Sequence, residues 1–108
     1  MTLAQEKKLT VIFRIEPGCL GPTGENLIDN FCLIAQKEFE TINSDFMHWH
    51  ITPRHDKALP EMTYKINNKN LNHDKAEKYL TLFKLNLNEI EDHLHDKLSV
   101  LIDQHLGY

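Results

Sequence analysis

The sequence predicts an α+β fold, a two-layer sandwich in which a small three-stranded sheet carries two helices on one face. Three observations favour it: three segments in which apolar and polar residues alternate, two segments with apolar residues at helical spacing, and their order along the chain, β-α-β-β-α. The chain has 108 residues, of which 41% are hydrophobic and 26% charged. We therefore expect a single α+β domain over residues 1–108.

The first strand is predicted at Leu9–Glu16, because every second residue from Leu9 to Ile15 is apolar and the residues between are mostly polar. Pro17 and Gly18 end this strand. A loop rich in glycine and proline then runs to Gly24.

The first helix is predicted from about Thr23 to Thr41. Thr23 is suited to the N-cap position, and Glu25 places a negative charge in the first turn, where the helix dipole favours it. Apolar residues follow at helical spacing: Leu27, Phe31, Ile34, Ala35 and Phe39.

Two further strands are predicted at Phe46–Thr52 and at about Glu61–Asn67. In the second strand the alternation places Met47, Trp49 and Ile51 on one face, and His48 and His50 on the other. In the third strand it places Lys65 on the polar face. The sequence Asn-Asn-Lys-Asn at 67–70 has the composition of a turn.

The last helix is predicted from Asn72 to His105, a long C-terminal helix. A helix of this length extends about 50 Å at about 1.5 Å per residue, well beyond the diameter of a domain of this size. Either it breaks, most readily at Asn86 or Asn88, or its end projects and pairs with a second copy. Because apolar residues continue as far as Ile102, we expect a homodimer.

The polar face of the predicted sheet is the preferred candidate site. Arg14, His48, His50 and Lys65 should share it, and Arg54 and His55 should extend it. Two histidines at i and i+2 on a strand lie about 7 Å apart. With Arg14 and Lys65 they suit an anionic ligand, whereas with His55 they could hold a transition metal. The remaining interpretation is an ordinary polar surface or a contact between subunits.

The loop Gly18–Gly24 is the second candidate, because a helix N-terminus can hold an anion. Cys19 in this loop could act as a nucleophile, with His50 or His55 as the base of a small cysteine- and histidine-dependent enzyme. The loop lacks the Lys-Ser or Lys-Thr pair that completes a P-loop. Its simpler interpretation is a tight connection against which Cys19 packs.

The remaining features limit the class of function. The sequence contains no G-x-S-x-G, C-x-x-C or H-E-x-x-H motif, so we predict no catalytic residue, cofactor or metal ligand in the preferred assignment. The net charge of −4 makes nucleic acid an unlikely partner. No segment is suited to a membrane span or a signal peptide, so we expect the cytoplasm, a reducing compartment in which Cys19 and Cys32 would not form a structural disulfide. We expect a homodimeric binding module for an anionic ligand or partner.

Overall fold

The computed structural model describes residues 2–107. Its strands are β1 (Leu9–Ile15), β2 (Met47–Pro53), β3 (Met62–Ile66) and β4 (Lys69–Leu71), and its α-helices are α1 (Gly24–Phe39), α2 (His73–Thr81) and α3 (Leu87–Leu106). Short 3₁₀ helices lie at Gln5–Lys7 and Pro17–Leu20. The α+β class and the presence of a long C-terminal helix are confirmed, and the three predicted strands are found with boundaries that differ by about one residue.

The sheet is open and mixed, with the strand order β2-β1-β3-β4. The central strand β1 pairs in parallel with β2 and antiparallel with β3, which pairs antiparallel with β4. In the register, Thr10 lies opposite both His48 and Lys65, and Ile12 lies opposite both His50 and Thr63. The outward side chains of three strands therefore form continuous rows across the sheet.

The hydrophobic core lies on one face of this sheet, against which the helices pack. Alternate residues of β1, from Leu9 to Ile15, are no more than 2% exposed. Their neighbours in the sheet and on the helices complete one cluster, whose larger members include Phe31, Phe39, Met47, Trp49, Tyr64, Leu80, Leu87 and Leu94. The alternation read from the sequence thus assigns the buried face of β1 and β2 correctly.

The fourth strand corrects the prediction of three strands. The residues expected to form a turn instead make a hairpin in which Ile66 pairs with Lys69, so that the loop is only Asn67-Asn68. Asn67 and Asn68 have φ values of 49° and 67°. Positive φ at both central residues is typical of a type I′ hairpin turn, which asparagine tolerates better than most residues.

The predicted C-terminal helix is two helices, so the expectation of two helices in total is wrong by one. The first ends at a Schellman motif: Lys84 has a φ of 63°, Leu85 N–H donates to Leu80 O at 3.1 Å, and Lys84 N–H donates to Thr81 O at 3.0 Å. The side chain of Asn86 then caps α3 by accepting from Glu89 N–H. The break falls at Asn86, one of the two positions that the sequence marks as weak.

This break removes the reason for expecting self-association through the helix end. Near the end of α3, Leu101 is buried and Leu98 and Ile102 are partly buried, whereas Val100 stays exposed. The helix packs back against α1 and α2. The homodimer stays a prediction. None of the helices within residues 2–107 combines the length and the apolar character needed to cross a membrane.

Candidate functional site

The outward face of the sheet carries positive charge and no carboxylate from its own strands. The strand residues that point away from the core are Thr10, Ile12, Arg14, His48, His50, Thr52, Thr63, Lys65 and Asn70. The whole chain has a net charge of −4, so this face differs in sign from the molecule as a whole. The structure therefore places Arg14, His48, His50 and Lys65 on one face, as the alternation predicts.

Two hydrogen bonds hold the side chain of Arg14 in place near the C-terminal end of β1. Its Nη1 donates to Pro60 O at 2.9 Å and to Thr63 Oγ1 at 2.8 Å. No other hydrogen bond engages its guanidinium among residues 2–107, so the rest of the planar fork remains free to donate. These two bonds restrict the side chain before any ligand binds.

A shallow cavity of about 390 Å³ adjoins this arginine. Arg14 and Lys65 both line it, together with Leu59, Pro60, Met62, Thr63, Asn70 and Leu71. The cavity thus combines two positive side chains with hydroxyl and amide groups and an apolar rim. Such a composition suits a small ligand with an anionic group and a compact organic body.

The two histidines lie at the far edge of the same face, on β2. The pKa of His48 is lowered, mainly by partial burial and further by the positive charges of Lys8 and His50. Lys8 is only 7% exposed, which keeps its charge close to the sheet. A negative ligand on this face would offset the repulsion among these groups.

Arg54 and His55 do not extend this face, which corrects the prediction. Arg54 Nη1 forms an ion pair with Glu16 at 2.9 Å, and its other nitrogens donate to the carbonyls of Leu59 and Lys57. Both residues line a separate cavity of about 310 Å³ beside the Gly18–Gly24 loop. Glu16 and Glu25 also line that cavity, so its charge is mixed.

The Gly18–Gly24 loop is better explained as a structural connection than as an anion site. Residues Pro17–Leu20 form a 3₁₀ turn, and a Cβ at Gly24 would lie 1.8 Å from Pro17 O. Thr23 occupies the N-cap position of α1 as expected, but its side chain makes no capping hydrogen bond. Gly24 N–H is already bonded to Gly21 O. Only glycine permits the close approach of α1 to this turn.

Cys19 is exposed, yet its surroundings oppose nucleophilic chemistry. The pKa of its thiol is raised, mainly because the thiol is partly buried and further by the carboxylates of Glu16 and Glu61. The small cavity that it lines, of about 80 Å³, contains no histidine. A thiol held in its protonated form without a nearby base is a poor nucleophile.

Sequence reasoning did not identify a cluster on the helix side of the sheet. Tyr64, His73, Glu91 and His95 meet Glu61 around a cavity of about 330 Å³. They come from three elements, and the chain reversal near Lys84 brings them together. The only local signal was Asn86, which marks where the helix breaks. Of the neighbouring histidines His93 and His95, only His95 lines the cavity.

Metal binding finds no support in this geometry. Within residues 2–107 no group of three or more histidine, cysteine, aspartate or glutamate side chains is arranged to hold a metal ion. His48 and His50 lie among positive side chains, which repel a cation.

No family model, curated protein or solved structure matches this chain.

Proposed function

We propose that this protein is a binding module whose outward sheet face takes up a small anionic ligand, such as a phosphorylated or polycarboxylic metabolite. One observation carries the proposal: the outward residues of β1, β2, β3 and β4 include Arg14, Lys65 and two histidines but no carboxylate, in a chain whose net charge is −4. A positive surface on an otherwise acidic protein attracts anions selectively.

Preorganisation of Arg14 supports the same assignment. Its hydrogen bonds to Pro60 O and Thr63 Oγ1 reduce the conformational entropy that the side chain would lose on binding. The free part of the guanidinium fork matches two oxygens of a phosphate or carboxylate. Lys65 lines the same cavity and supplies a second, more flexible charge.

The test is a titration with pyrophosphate at pH 7, followed by ¹H–¹⁵N NMR of the full chain. We expect saturable shifts centred on Arg14, Thr63 and Lys65. Arg14→Gln and Lys65→Gln should each weaken binding about threefold to tenfold, as expected for loss of one partly exposed charge contact. Lys78→Gln is the matched control, because Lys78 lies on the exposed side of α2, away from the face.

Two results would contradict the proposal. Shifts centred on Arg54, His55 and Lys57 would place the anion in the cavity of mixed charge beside the Gly18–Gly24 loop. An affinity unchanged in both Arg14→Gln and Lys65→Gln would mean that the face contributes only general electrostatic attraction. Because the side chain of Lys65 makes no hydrogen bond or ion pair within residues 2–107, its variant tests binding with little effect on the fold.

Self-association is a second proposal, now carried by a different surface. Leu33 and Ile34 on α1 and Val100 on α3 are 41 to 68% exposed. Ile34 also borders a groove of about 320 Å³ between these helices, together with Leu101. We propose that a second copy covers this apolar patch. The solution mass, measured by light scattering at several concentrations, tests it: a monomer at all concentrations contradicts the homodimer.

The cellular location is proposed on the state of the two cysteines. Both Cys19 and Cys32 carry free thiols. Free thiols are typical of proteins in a reducing compartment, so we propose the cytoplasm. Fractionation of the native host tests this directly, and recovery in an oxidising compartment would contradict it.

A further inference from the structure

The cavity on the helix side of the sheet has a chemical character opposite to that of the outward face. It lies where the start of β3 meets α2 and α3, and has a volume of about 330 Å³. Its lining contains two carboxylates and no lysine or arginine: Glu61, Met62, Tyr64, His73, Glu91 and His95. With neutral imidazoles, the side chains around it carry two negative charges and no positive charge.

Each of the two glutamates is oriented by a histidine. His73 Nε2 contacts Glu91 Oε1, and His95 Nε2 lies 3.2 Å from Glu61 Oε1. In each pair the imidazole contacts Oε1 of its glutamate. The pairs join α2 to α3 and α3 to the start of β3, so the carboxylates are positioned by three elements rather than by one mobile side chain.

Tyr64 forms the floor of the cavity and is only 5% exposed. Its hydroxyl donates to Met62 Sδ at 3.2 Å, and a thioether is a weak acceptor. The pKa of Tyr64 is raised, mainly by burial and further by the carboxylates of Glu91 and Glu61. The hydroxyl therefore stays protonated, and its oxygen can accept a hydrogen bond from a ligand.

We propose that this cavity binds a small organic cation, namely a protonated aliphatic amine or diamine. The ammonium N–H groups would donate to the carboxylates of Glu61 and Glu91, and the carbon chain would lie against the Met62 thioether and the Tyr64 ring. An anion is disfavoured by the carboxylates, and no lysine or arginine in the lining competes with a cationic ligand. Two separate carboxylates favour a diamine over a monoamine.

The test uses the full chain at pH 8, where imidazoles as a class are neutral. Diaminoalkanes with chains of about three to six carbons, butylamine, and the uncharged 1,5-pentanediol are each titrated and followed by ¹H–¹⁵N NMR. We expect saturable shifts at Met62, Tyr64, Glu91 and His95 with the diamines, weaker binding of butylamine, and none with the diol. Lys65→Gln should leave these shifts unchanged, because Lys65 lies on the outward face and does not line this cavity.

Isosteric variants identify the groups responsible. Glu61→Gln and Glu91→Gln should each weaken diamine binding about tenfold or more, because each removes one charge while keeping an oxygen for its histidine. Glu89→Gln is the matched control, since it removes the same charge from α3 outside the cavity lining. Urea unfolding of each variant shows whether the fold is retained.

Three outcomes would overturn the proposal. Equal binding by the diol would mean an apolar cavity without charge recognition. Diamine affinity unchanged in both glutamine variants, with their folds intact, would place the amines elsewhere. Zinc chloride that saturates at one equivalent and blocks the diamines would instead indicate a metal site that forms only when the His–Glu pairs rearrange.

Discussion

Gln36 of α1 accepts a hydrogen bond at 2.8 Å from the backbone N–H of Ile51, in the edge strand β2. Its Nε2 also donates to Trp49 O at 2.8 Å. Because residues 49 and 51 point their backbone groups away from β1, the carboxamide occupies the place that a neighbouring strand would take. One side chain thus satisfies part of an exposed sheet edge, which otherwise invites pairing with another chain.

Replacing Gln36 should therefore lower the free energy of unfolding more than replacing most half-buried polar residues would. Gln36→Ala leaves Trp49 O and Ile51 N–H without their partner, and we expect a loss of about 2 kcal/mol in the free energy of unfolding. Lys37→Ala, at the next and exposed position of α1, should change it by less than about 0.5 kcal/mol. Urea unfolding measures both. Equal stability of the two variants would show that water replaces the carboxamide without penalty.

Lys84 offers a stabilising substitution. Its φ of 63° at the end of α2 costs a non-glycine residue about 1 kcal/mol, part of which a glycine recovers. We expect Lys84→Gly to raise the free energy of unfolding by about 0.5–1 kcal/mol after the entropy of the unfolded chain is counted. Lys78→Gly, inside α2, should lower it by about 1 kcal/mol. Thermal unfolding of the pair checks the sign, and a destabilised Lys84→Gly would contradict the Schellman geometry.

Gly24 should tolerate no side chain. A Cβ there would lie 1.8 Å from Pro17 O, so that backbone would have to move. We expect Gly24→Ala to destabilise the protein by about 3 kcal/mol. Gly18→Ala is the matched control in the same loop, because nothing lies within 4 Å of the position of its Cβ. Chemical denaturation separates the two, and similar midpoints would mean that α1 does not pack closely on the turn.

His48 should contribute a pH dependence to stability. Its folded pKa is lowered below the ordinary histidine value of 6.5, mainly by burial and further by the charges of Lys8 and His50. Below pH 6.5 the unfolded chain therefore binds a proton at His48 more readily than the folded chain does. The contribution of His48 to stability is fully present above this pH and is lost as the pH drops toward the folded pKa. His48→Asn should show a shallower loss of melting temperature between pH 7.5 and 5.5.

The direct measurement is an NMR titration of the His48 ring. A midpoint above that of a histidine in the unfolded chain would contradict the predicted slope. The difference between the melting curves of the wild type and His48→Asn removes the contributions of other titrating groups, which both proteins share. If the two profiles run parallel, the proton on His48 does not affect folding.

Much of the fold could be predicted because its signals are local. The alternation in Leu9–Ile15 and in Met47–Ile51 assigns the two faces of β1 and β2, since side chains on a strand alternate regardless of what the strand pairs with. The short strand β4 could not be found this way. Only three residues long, it exists because the Asn67-Asn68 turn returns the chain to β3.

The candidate sites show the same difference between what local sequence patterns predict and what depends on the tertiary structure. The sequence alone determined that Arg14, His48, His50 and Lys65 point away from the core, because alternation is a property of each strand. Only the tertiary structure decided that β1 lies between β2 and β3, which aligns His48, Thr10 and Lys65 in one row. It also turned Arg54 toward Glu16 and gathered Tyr64, His73, Glu91 and His95 around one cavity. Those arrangements depend on contacts between residues far apart in the chain, whose free energy no local pattern expresses.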